Sequence, residues 1–345
     1  MPDPLRVSHA PRLLRLSTLS PLLALIGLVI AATVVEAFTV PADQRAFLGV
    51  HNLLNILRQS APWGVVAVGM TFVIISGGID LSVGSMVALS GGIGILVMNA
   101  GGEAGWSAGR AMAAGVAVMV LSSAALGMFN GALVTLGRVA PFIATLSTLA
   151  AYRSVSQAIV DGGNYYASNS LFGEFGAGGI AVGSIDGRVV HLHYPVVVFV
   201  GVAILGAALL RLTVYGLRVR AVGDNERAAA YAALPVRWVW LTTYTISGVT
   251  CGIAAMLIAG RMGGNVSSGS TGLFYELDAI AAVVIGGTRM QGGSGRVWGT
   301  VVGVLILGVI NNMLNMIGVG TYYQGLVKGG VIIAAVLVQR GGLSR

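Results

Sequence analysis

The sequence predicts an all-α, polytopic membrane protein with about ten transmembrane helices. Of its 345 residues, 56% are hydrophobic and only 9% are charged, whereas soluble domains carry about 25% charged residues. Long apolar runs recur along the chain, and about 20 apolar residues are enough to cross a hydrocarbon core of about 30 Å. These observations exclude a soluble globular protein and predict that the whole chain, residues 1–345, is one transmembrane domain.

The predicted helices follow the apolar runs in chain order. The first, at residues 19–39, follows several arginines and is longer than the apolar core of a signal peptide, so we expect it to remain as a membrane anchor. Residues 49–60 have leucines at helical spacing and predict an amphipathic helix in the outer interface. The other expected spans are residues 61–76, 82–100, 111–136, 139–160, 194–213, 239–260, 276–288, 297–317 and 321–339.

The basic residues are unevenly distributed between the two sides of this predicted topology. With the N-terminus inside and ten crossings, most of the 20 Lys and Arg residues lie in inner segments. This bias follows the positive-inside rule and predicts that both termini are cytoplasmic. The net charge of +8 therefore reports orientation in the membrane and does not indicate nucleic-acid binding.

Two connecting segments are too polar to cross. Residues 161–193 are rich in glycine and are expected to form the largest outer loop. His191 and His193 in that loop have no evident third ligand, so no metal site is predicted. Residues 215–238 place basic and acidic side chains between two uncharged runs. We interpret them as a cytoplasmic loop with a small helix that contacts a partner protein.

A faint internal repeat relates two of the predicted helices. Residues 130–142 and 311–323 have Asn, Leu and Gly in register, and in the predicted topology the two segments run in opposite directions. Many transporters consist of inverted repeats of this kind. The sequence thus predicts two inverted halves of five crossings each, with chance similarity between apolar segments as the alternative.

A helix break is predicted where Gly77 and Gly78 interrupt an apolar run. Asp80 and Ser82 follow, and then another apolar run begins. Backbone groups exposed at such a break need water, protein or substrate as partners. Two interpretations remain open, since Asp80 and Ser82 either cap the following helix or shape a substrate pathway or its gate.

A second set of polar side chains lies in the last predicted spans. Amides both donate and accept hydrogen bonds, which suits a neutral polyol, and tyrosine rings offer an apolar face to sugar C–H groups. The alternative is that these side chains hydrogen-bond across packed helices. The candidate pathway residues in this set are Asn311, Asn312, Asn315, Tyr322 and Gln324, with Asn130 and Thr145 from the earlier half.

The sequence does not predict catalysis by this chain. It contains no Gly-rich P-loop ending in Lys-Ser or Lys-Thr, so we expect it to bind neither ATP nor any other cofactor itself. It also lacks the series of intramembrane carboxylates and histidines that a proton-coupled carrier would use. No catalytic residue is assigned.

Four stretches carry a resemblance to a known family. They are GMTFVIISGGIDLSVGSMVALSGG from Gly69, NGALVTLGRVAPFIATLSTLAAYRS from Asn130, GLRVRAVGDNERAAAYAALPV from Gly216, and YELDAIAAVVIGGTRMQGGSGRVWGTVVGVLILGVINNMLNMIGV from Tyr275. In these stretches the chain resembles the permease subunits of bacterial ABC importers for monosaccharides, of the ribose, xylose and galactoside type.

The resemblance implies a multi-pass inner-membrane permease that imports a ribose-like pentose or related sugar by alternating access. Its implied partners are a second copy of itself, two cytoplasmic ATPase subunits that bind ATP and magnesium, an extracytoplasmic sugar-binding protein and membrane lipid. A coupling helix that docks in the ATPase is implied at Gly223, Asp224, Asn225, Glu226, Ala228 and Ala229.

Departures from the family pattern are few. The family usually has Gly where Ala233 stands and often Gly where Met313 stands, so the turn after the coupling helix and the shape of the pathway are expected to differ. Three alternative functions remain: a permease of the same family for a nucleoside or autoinducer, an ion-coupled secondary carrier, and a receptor-like membrane protein.

Overall fold

The computed structural model describes residues 16–185, 188–320, 323–327, 329, 330 and 333. Its helices are α1 Leu16–Thr39, α2 Val50–Ile75, α3 Val83–Glu103, α4 Ala108–Thr135, α5 Pro141–Ile159, α6 Ser170–Ala177, α7 Tyr194–Leu212, α8 Val214–Asp224, α9 Glu226–Tyr231, α10 Val236–Arg261, α11 Tyr275–Ile285 and α12 Val297–Met316. Two antiparallel strand pairs accompany them: β1 Asn164–Tyr166 with β4 Asn265–Ser267, and β2 Gly179–Ile185 with β3 Arg188–His193.

Six of the described helices are long and apolar enough to cross a membrane. They are α1 from Pro21 onward, α3, α4, α7, α10 and α12. This confirms a mostly helical, polytopic membrane protein. The predicted last span at 321–339 lies largely outside the described residues.

Helix α10 lies at the centre of the bundle and packs against α2, α3 and α4. Its contact with α4 is made by small residues. A Cβ at Gly248 would collide with the carbonyl of Ser123, and a Cβ at Gly252 would crowd the carbonyl of Met119. Small residues allow helix backbones to approach closely inside a membrane, so α4 and α10 form a tightly fitted pair.

The prediction of a separate interface helix at residues 49–60 is wrong. Helix α2 runs without interruption from Val50 to Ile75, a length of about 39 Å at the usual rise per residue. Its first part is covered by protein, because Ile56 is buried in a cluster with Ala32, Phe47 and Val309. Packing against α1 and α12 therefore buries Ile56, while Leu53 stays exposed and Leu54 and Leu57 are half-buried.

The helix expected at 276–288 is present as α11, Tyr275–Ile285, but it is too short to span the membrane by itself. Helix α11 has 11 residues and is about 16 Å long, roughly half of a hydrocarbon core. The chain before it is extended in β4, and Phe274 turns into α11 in a left-handed conformation with φ of 65°. At the other end, Gly292 contacts Gly223 near the end of α8. Helix α11 is therefore one short helical segment between two irregular stretches of chain.

Residues 161–193 are not a plain loop. They contain β1, α6 and the β2–β3 hairpin. Helix α6 packs against α10, where a Cβ at Gly176 would collide with the backbone of Gly260. The segment is thus an ordered cover on the end of the bundle opposite α8 and α9, and close backbone contact explains the glycine at position 176.

Candidate functional site

The charged segment at 215–238 forms two helices instead of one. Helix α8 ends at Asp224, and Asn225 adopts an extended conformation with φ of −155°. The Ala228 N–H donates to Asn225 Oδ1 at 2.9 Å, so Asn225 is the N-cap of α9. The implied single coupling helix from Gly223 to Ala229 is therefore wrong, because an asparagine that caps a new helix ends the preceding one.

Helix α9 presents most of its surface to its surroundings. Glu226, Arg227 and Ala228 are exposed, whereas Ala229 is buried against the bundle. Tyr231 is 92% exposed, an unusual state for a large aromatic ring. Glu226 in the first turn is well placed for the positive end of the helix. A small helix with one buried anchor and an exposed aromatic ring is suited to docking with another protein.

Ala233, which departs from the family pattern, lies in the turn after α9. Ala233 has φ of 57°, and two bonds of a Schellman motif enclose it: Leu234 N–H to the Ala229 carbonyl and Ala233 N–H to the Ala230 carbonyl, both 3.0 Å. Glycine is the usual residue at this position. A left-handed alanine costs roughly 1–2 kcal/mol, so this turn is strained relative to a glycine version.

Four glycines meet where α8 ends, and we call them the glycine junction: Gly77, Gly223, Gly292 and Gly293. The Gly293 N–H donates to the Ile75 carbonyl at 2.9 Å, and a Cβ at Gly223 would collide with that same carbonyl. Gly77 and Gly292 have φ of 87° and 93°, which only glycine adopts at low cost. The junction connects the base of α9 directly to the end of α2.

The chain after the junction turns into a buried polar network around Asp80. The carboxylate accepts hydrogen bonds from the Ser82 N–H at 3.1 Å, from Ser82 Oγ at 2.7 Å and from Ser247 Oγ of α10 at 2.9 Å. Asp80, Ser82 and Ser247 are completely inaccessible to solvent. The Asp80 side chain thus stabilises the turn before α3 and ties that turn to α10.

The network continues into α4 and α5. Asn130 Nδ2 donates to Ser82 Oγ at 2.7 Å, and Tyr152 Oη donates to Asn130 Oδ1 at 3.1 Å. The Ile79 carbonyl accepts from Tyr244 Oη at 3.0 Å and lies 3.4 Å from Thr145 Oγ1. Side chains of α4, α5 and α10 therefore reach the polar groups of the turn at Ile79, Asp80 and Ser82.

The structure brings together four of the predicted pathway residues, namely Asp80, Ser82, Asn130 and Thr145. The Ser82 side chain makes no capping bond, but Asp80 accepts from the Ser82 N–H as a capping residue does and also binds Ser247 of α10, so both interpretations of the helix break remain predictions. The sequence interpretation missed Tyr152, Tyr244 and Ser247, which complete the network. The signal for these residues in the sequence was weak, because the chain has many hydroxyl side chains in otherwise apolar runs.

The asparagines of α12 form a different arrangement. Asn312 is 8% exposed and exchanges two amide hydrogen bonds with Asn52 of α2, at 2.8 and 3.0 Å. Asn315 accepts from Gln324 Nε2 at 2.8 Å. Within the described part of the chain, Asn311 Oδ1 is buried without a hydrogen-bond partner. Tyr322 lies outside the described residues.

The two predicted polar sets lie on separate helix contacts. Helix α12 packs against α1, α2, α7 and α11, whereas α4 packs against α3, α5, α6 and α10. Met313, the second departure from the family pattern, packs with Phe47 and Ile56. The described residues of the two sets therefore belong to different helix contacts.

A small cavity of about 190 Å³ with polar and apolar lining residues lies beside the start of α11. Arg153 of α5 holds the adjoining turn by donating to the Ser268 and Thr271 carbonyls at 3.2 and 2.8 Å. Asn265 Oδ1 is buried there without a partner among the described residues. Sequence reasoning missed this cavity, whose lining includes Asn265, Ser267, Ser270, Thr271 and Tyr275.

A wider cavity of about 590 Å³ opens on the ordered cover, lined in part by Glu174, His191 and His193. Burial lowers the pKa of His193, and the nearby positive charge of Arg58 lowers it further. The neutral imidazole is therefore the favoured form. This cavity carries ionisable side chains, while the cavity beside α11 has an uncharged lining.

Comparisons with known proteins identify relatives along almost the whole chain. The family model "Branched-chain amino acid transport system / permease component" matches residues 52–336. The ribose import permease protein of Bacillus subtilis is 38% identical over 326 residues, which cover 93% of this chain and 92% of the relative. The D-allose transport system permease protein of Escherichia coli is 37% identical and covers 85% of both chains.

The xylose transport system permease protein of Haemophilus influenzae is 31% identical, covering 90% of this chain and 94% of the relative. No solved structure gives a significant match. The six apolar helices and these relatives show a multi-pass protein of the bacterial inner membrane. The chain belongs to the branched-chain amino acid transport system permease family, within which it is similar to the sugar permeases.

Proposed function

We propose that this chain is the membrane subunit of an ATP-driven importer that moves a neutral monosaccharide, a ribose-like pentose or a related sugar, into the cytoplasm. The observation that carries the proposal is its similarity to a ribose import permease over 93% of the chain. The allose and xylose relatives support a sugar over the amino acids in the family's description. The chain transports and performs no covalent chemistry.

The proposed assembly contains two copies of this chain, two cytoplasmic ATPase subunits that bind ATP and magnesium, and an extracytoplasmic sugar-binding protein. We also propose ten crossings in two inverted halves of five, with both termini in the cytoplasm. The distribution of basic residues supports this orientation. The end that carries α8 and α9 is then cytoplasmic, and the ordered cover is outside.

Helix α9 is the proposed contact with the ATPase. Its accessible side chains, including Glu226 and Tyr231, would insert into the partner. Asp224 and Asn225 are exposed just before the helix, and Ala228 is exposed on it. Movement of α9 would pass to the end of α2, because the glycine junction leaves no gap between Gly223 and Ile75. Five residues after Ile75 stands Asp80, so the docking helix is mechanically linked to the buried network.

The Asp80 network is the proposed gate. All of its hydroxyl, amide and carboxylate groups are engaged with each other, so inward opening requires these hydrogen bonds to be exchanged. Sugar hydroxyls can replace such partners because they both donate and accept. Asn311, Asn312, Asn315, Gln324 and the uncharged cavity beside α11 offer further groups of this kind.

The proposal is tested by reconstituting the chain in proteoliposomes with its ATPase and binding protein. ATP-dependent uptake of labelled ribose, xylose and allose is compared with uptake of a nucleoside and of leucine. Glu226→Arg and Tyr231→Ala are expected to remove ATPase co-purification and uptake together. Asp43→Arg is the matched control, because Asp43 is exposed in the short helical turn Ala42–Gln44, which belongs to the predicted outer side.

The result that would reject the proposal is uptake that persists without ATP and is indifferent to both α9 variants. That behaviour would indicate an ion-coupled carrier. Nucleoside or leucine uptake in place of sugar uptake would support an ATP-driven importer with a different substrate.

A further inference from the structure

A basic cavity lies between the end of α7, α8 and the start of α12. Its volume is about 650 Å³, and Arg211, Arg220 and Arg296 line it together with Ser294. No carboxylate is among its lining residues. Asp224 approaches Gly293 nearby but does not line the cavity. Within the described part of the chain, none of the three guanidinium groups has a hydrogen-bond or ion-pair partner.

The start of α12 adds backbone donors to this cluster. The first hydrogen bond of the helix is from the Thr300 N–H to the Arg296 carbonyl, and Arg296 provides no side-chain cap. The N–H groups of Val297 and Trp298, two lining residues, therefore have no intrahelical partner. The positive end of a 20-residue helix thus meets three cationic side chains. Phosphate oxygens are the ligands that such an arrangement favours.

An apolar stripe leads to the same cavity along α7. Ile204, Ala207 and Arg211 are three to four residues apart and share one face of the helix. Ile204 is 63% exposed, and Val200, one turn earlier, is 49% exposed. At the rim, Trp298 is 71% exposed, which is typical of aromatic residues at the level of lipid headgroups. A free phosphate would leave this stripe uncovered.

We propose that this cavity binds the phosphate headgroup of an anionic phospholipid, with its acyl chains along the exposed face of α7. Basic pockets between helices are known to take acidic headgroups in this way. The site shares Gly293 with the glycine junction. A bound lipid would hold α7, α8 and α12 together beside the contact that links α9 to α2. The inference does not depend on the cargo or on ATPase binding.

The test uses the purified full chain without partners, in a non-ionic detergent. Thermal unfolding and native mass spectrometry are measured with phosphatidylglycerol, with phosphatidylethanolamine and with inorganic phosphate. Phosphatidylglycerol is expected to raise the unfolding temperature and to remain bound, and the other two are not. Arg211→Gln/Arg296→Gln should lose this effect. Arg218→Gln should keep it, because Arg218 is an exposed arginine on α8 that does not line the cavity.

A second variant guards against misfolding of the double arginine variant. Ile204→Ser leaves the cationic cluster intact and makes the stripe polar, so lipid binding should weaken. An equal phosphatidylglycerol effect in wild type and in the double arginine variant would overturn the proposal. So would inorganic phosphate reproducing the full effect, which would indicate a free-anion site. A third contrary result is the absence of any lipid effect on wild type. If the ATPase also fails to co-purify with the double variant, the cavity is a protein contact instead.

Discussion

The two ends of α2 both place polar groups between packed helices, yet they are built differently. Beyond Ile75 the chain enters the Asp80 network, where one carboxylate accepts three hydrogen bonds. Asp80, Ser82 and Ser247 are all inaccessible to solvent. At the other end, Asn52 and Asn312 form one pair of amides between α2 and α12.

The difference follows from the number of polar atoms that need a partner. The buried Asp80 carboxyl group needs partners for both of its oxygens, because an unsatisfied buried polar group costs about 1–3 kcal/mol. In a neutral amide pair, each amide needs only the other one as its partner. The nearby Asn315 is exposed and does not have to be enclosed. The Asp80 end therefore has to be either closed or rearranged as a unit, and it is also the end connected to α9. The Asn52 end has no comparable link.

The largest expected effect comes from removing the carboxylate. Asp80→Ala leaves the Ser82 and Ser247 hydroxyls buried without their acceptor, and we expect a loss of about 3 kcal/mol or more in stability. Thermal unfolding of the purified chain measures this change. Asp43→Ala, an exposed carboxylate, is the control. Equal unfolding temperatures for the two variants would show that the network does not hold the helices together.

The next effect separates docking from transmission. Gly223→Ala places a Cβ against the Ile75 carbonyl, and such overpacking typically costs about 1–3 kcal/mol. ATP-dependent uptake should fall strongly while the ATPase still co-purifies, because the exposed face of α9 is unchanged. Gly201→Ala is the control, since a Cβ there has no neighbour within 4 Å. Normal uptake by Gly223→Ala would contradict the glycine junction as the coupling contact.

A smaller effect is expected at the other end of α2. Asn52→Leu, Asn312→Leu and the double variant form a thermodynamic cycle for one interhelical pair. Because pairs of this kind contribute about 0.6 kcal/mol in membranes, the coupling energy should be of that order. The cycle is measured by reversible unfolding. A coupling of several kcal/mol would mean that this end is as cooperative as the Asp80 end, and the contrast between them would fail.

An effect of similar size is expected at the turn after α9. Ala233→Gly relieves a left-handed alanine, and the greater freedom of glycine in the unfolded chain offsets part of the gain. We expect a net stabilisation of about 0.5–1 kcal/mol, seen as a small rise in unfolding temperature. Ala232→Gly, at the neighbouring residue with negative φ, should be neutral or destabilising. A lower unfolding temperature for Ala233→Gly would refute the proposed strain.

Much of this molecule was predictable from its sequence for a direct physical reason. Apolar runs that span a bilayer must form helices, since backbone groups in lipid have no other partners. The helices α1, α3, α4, α7, α10 and α12 accordingly appear where those runs were found. The break at Gly77–Gly78 and the charged island at 215–238 are also local signals, and both proved structurally distinctive.

Only the tertiary structure decided how these parts meet. The local sequence at 49–60 and at Asp80 does not indicate whether these side chains contact lipid, water or protein. Residues far away in the chain supply their partners: Asn312 for Asn52, and Ser247 and Asn130 for the Asp80 turn. The short α11 was likewise set by close packing at Gly286 and Gly299. Sequence determined which segments enter the membrane, and long-range packing determined which polar groups those segments share.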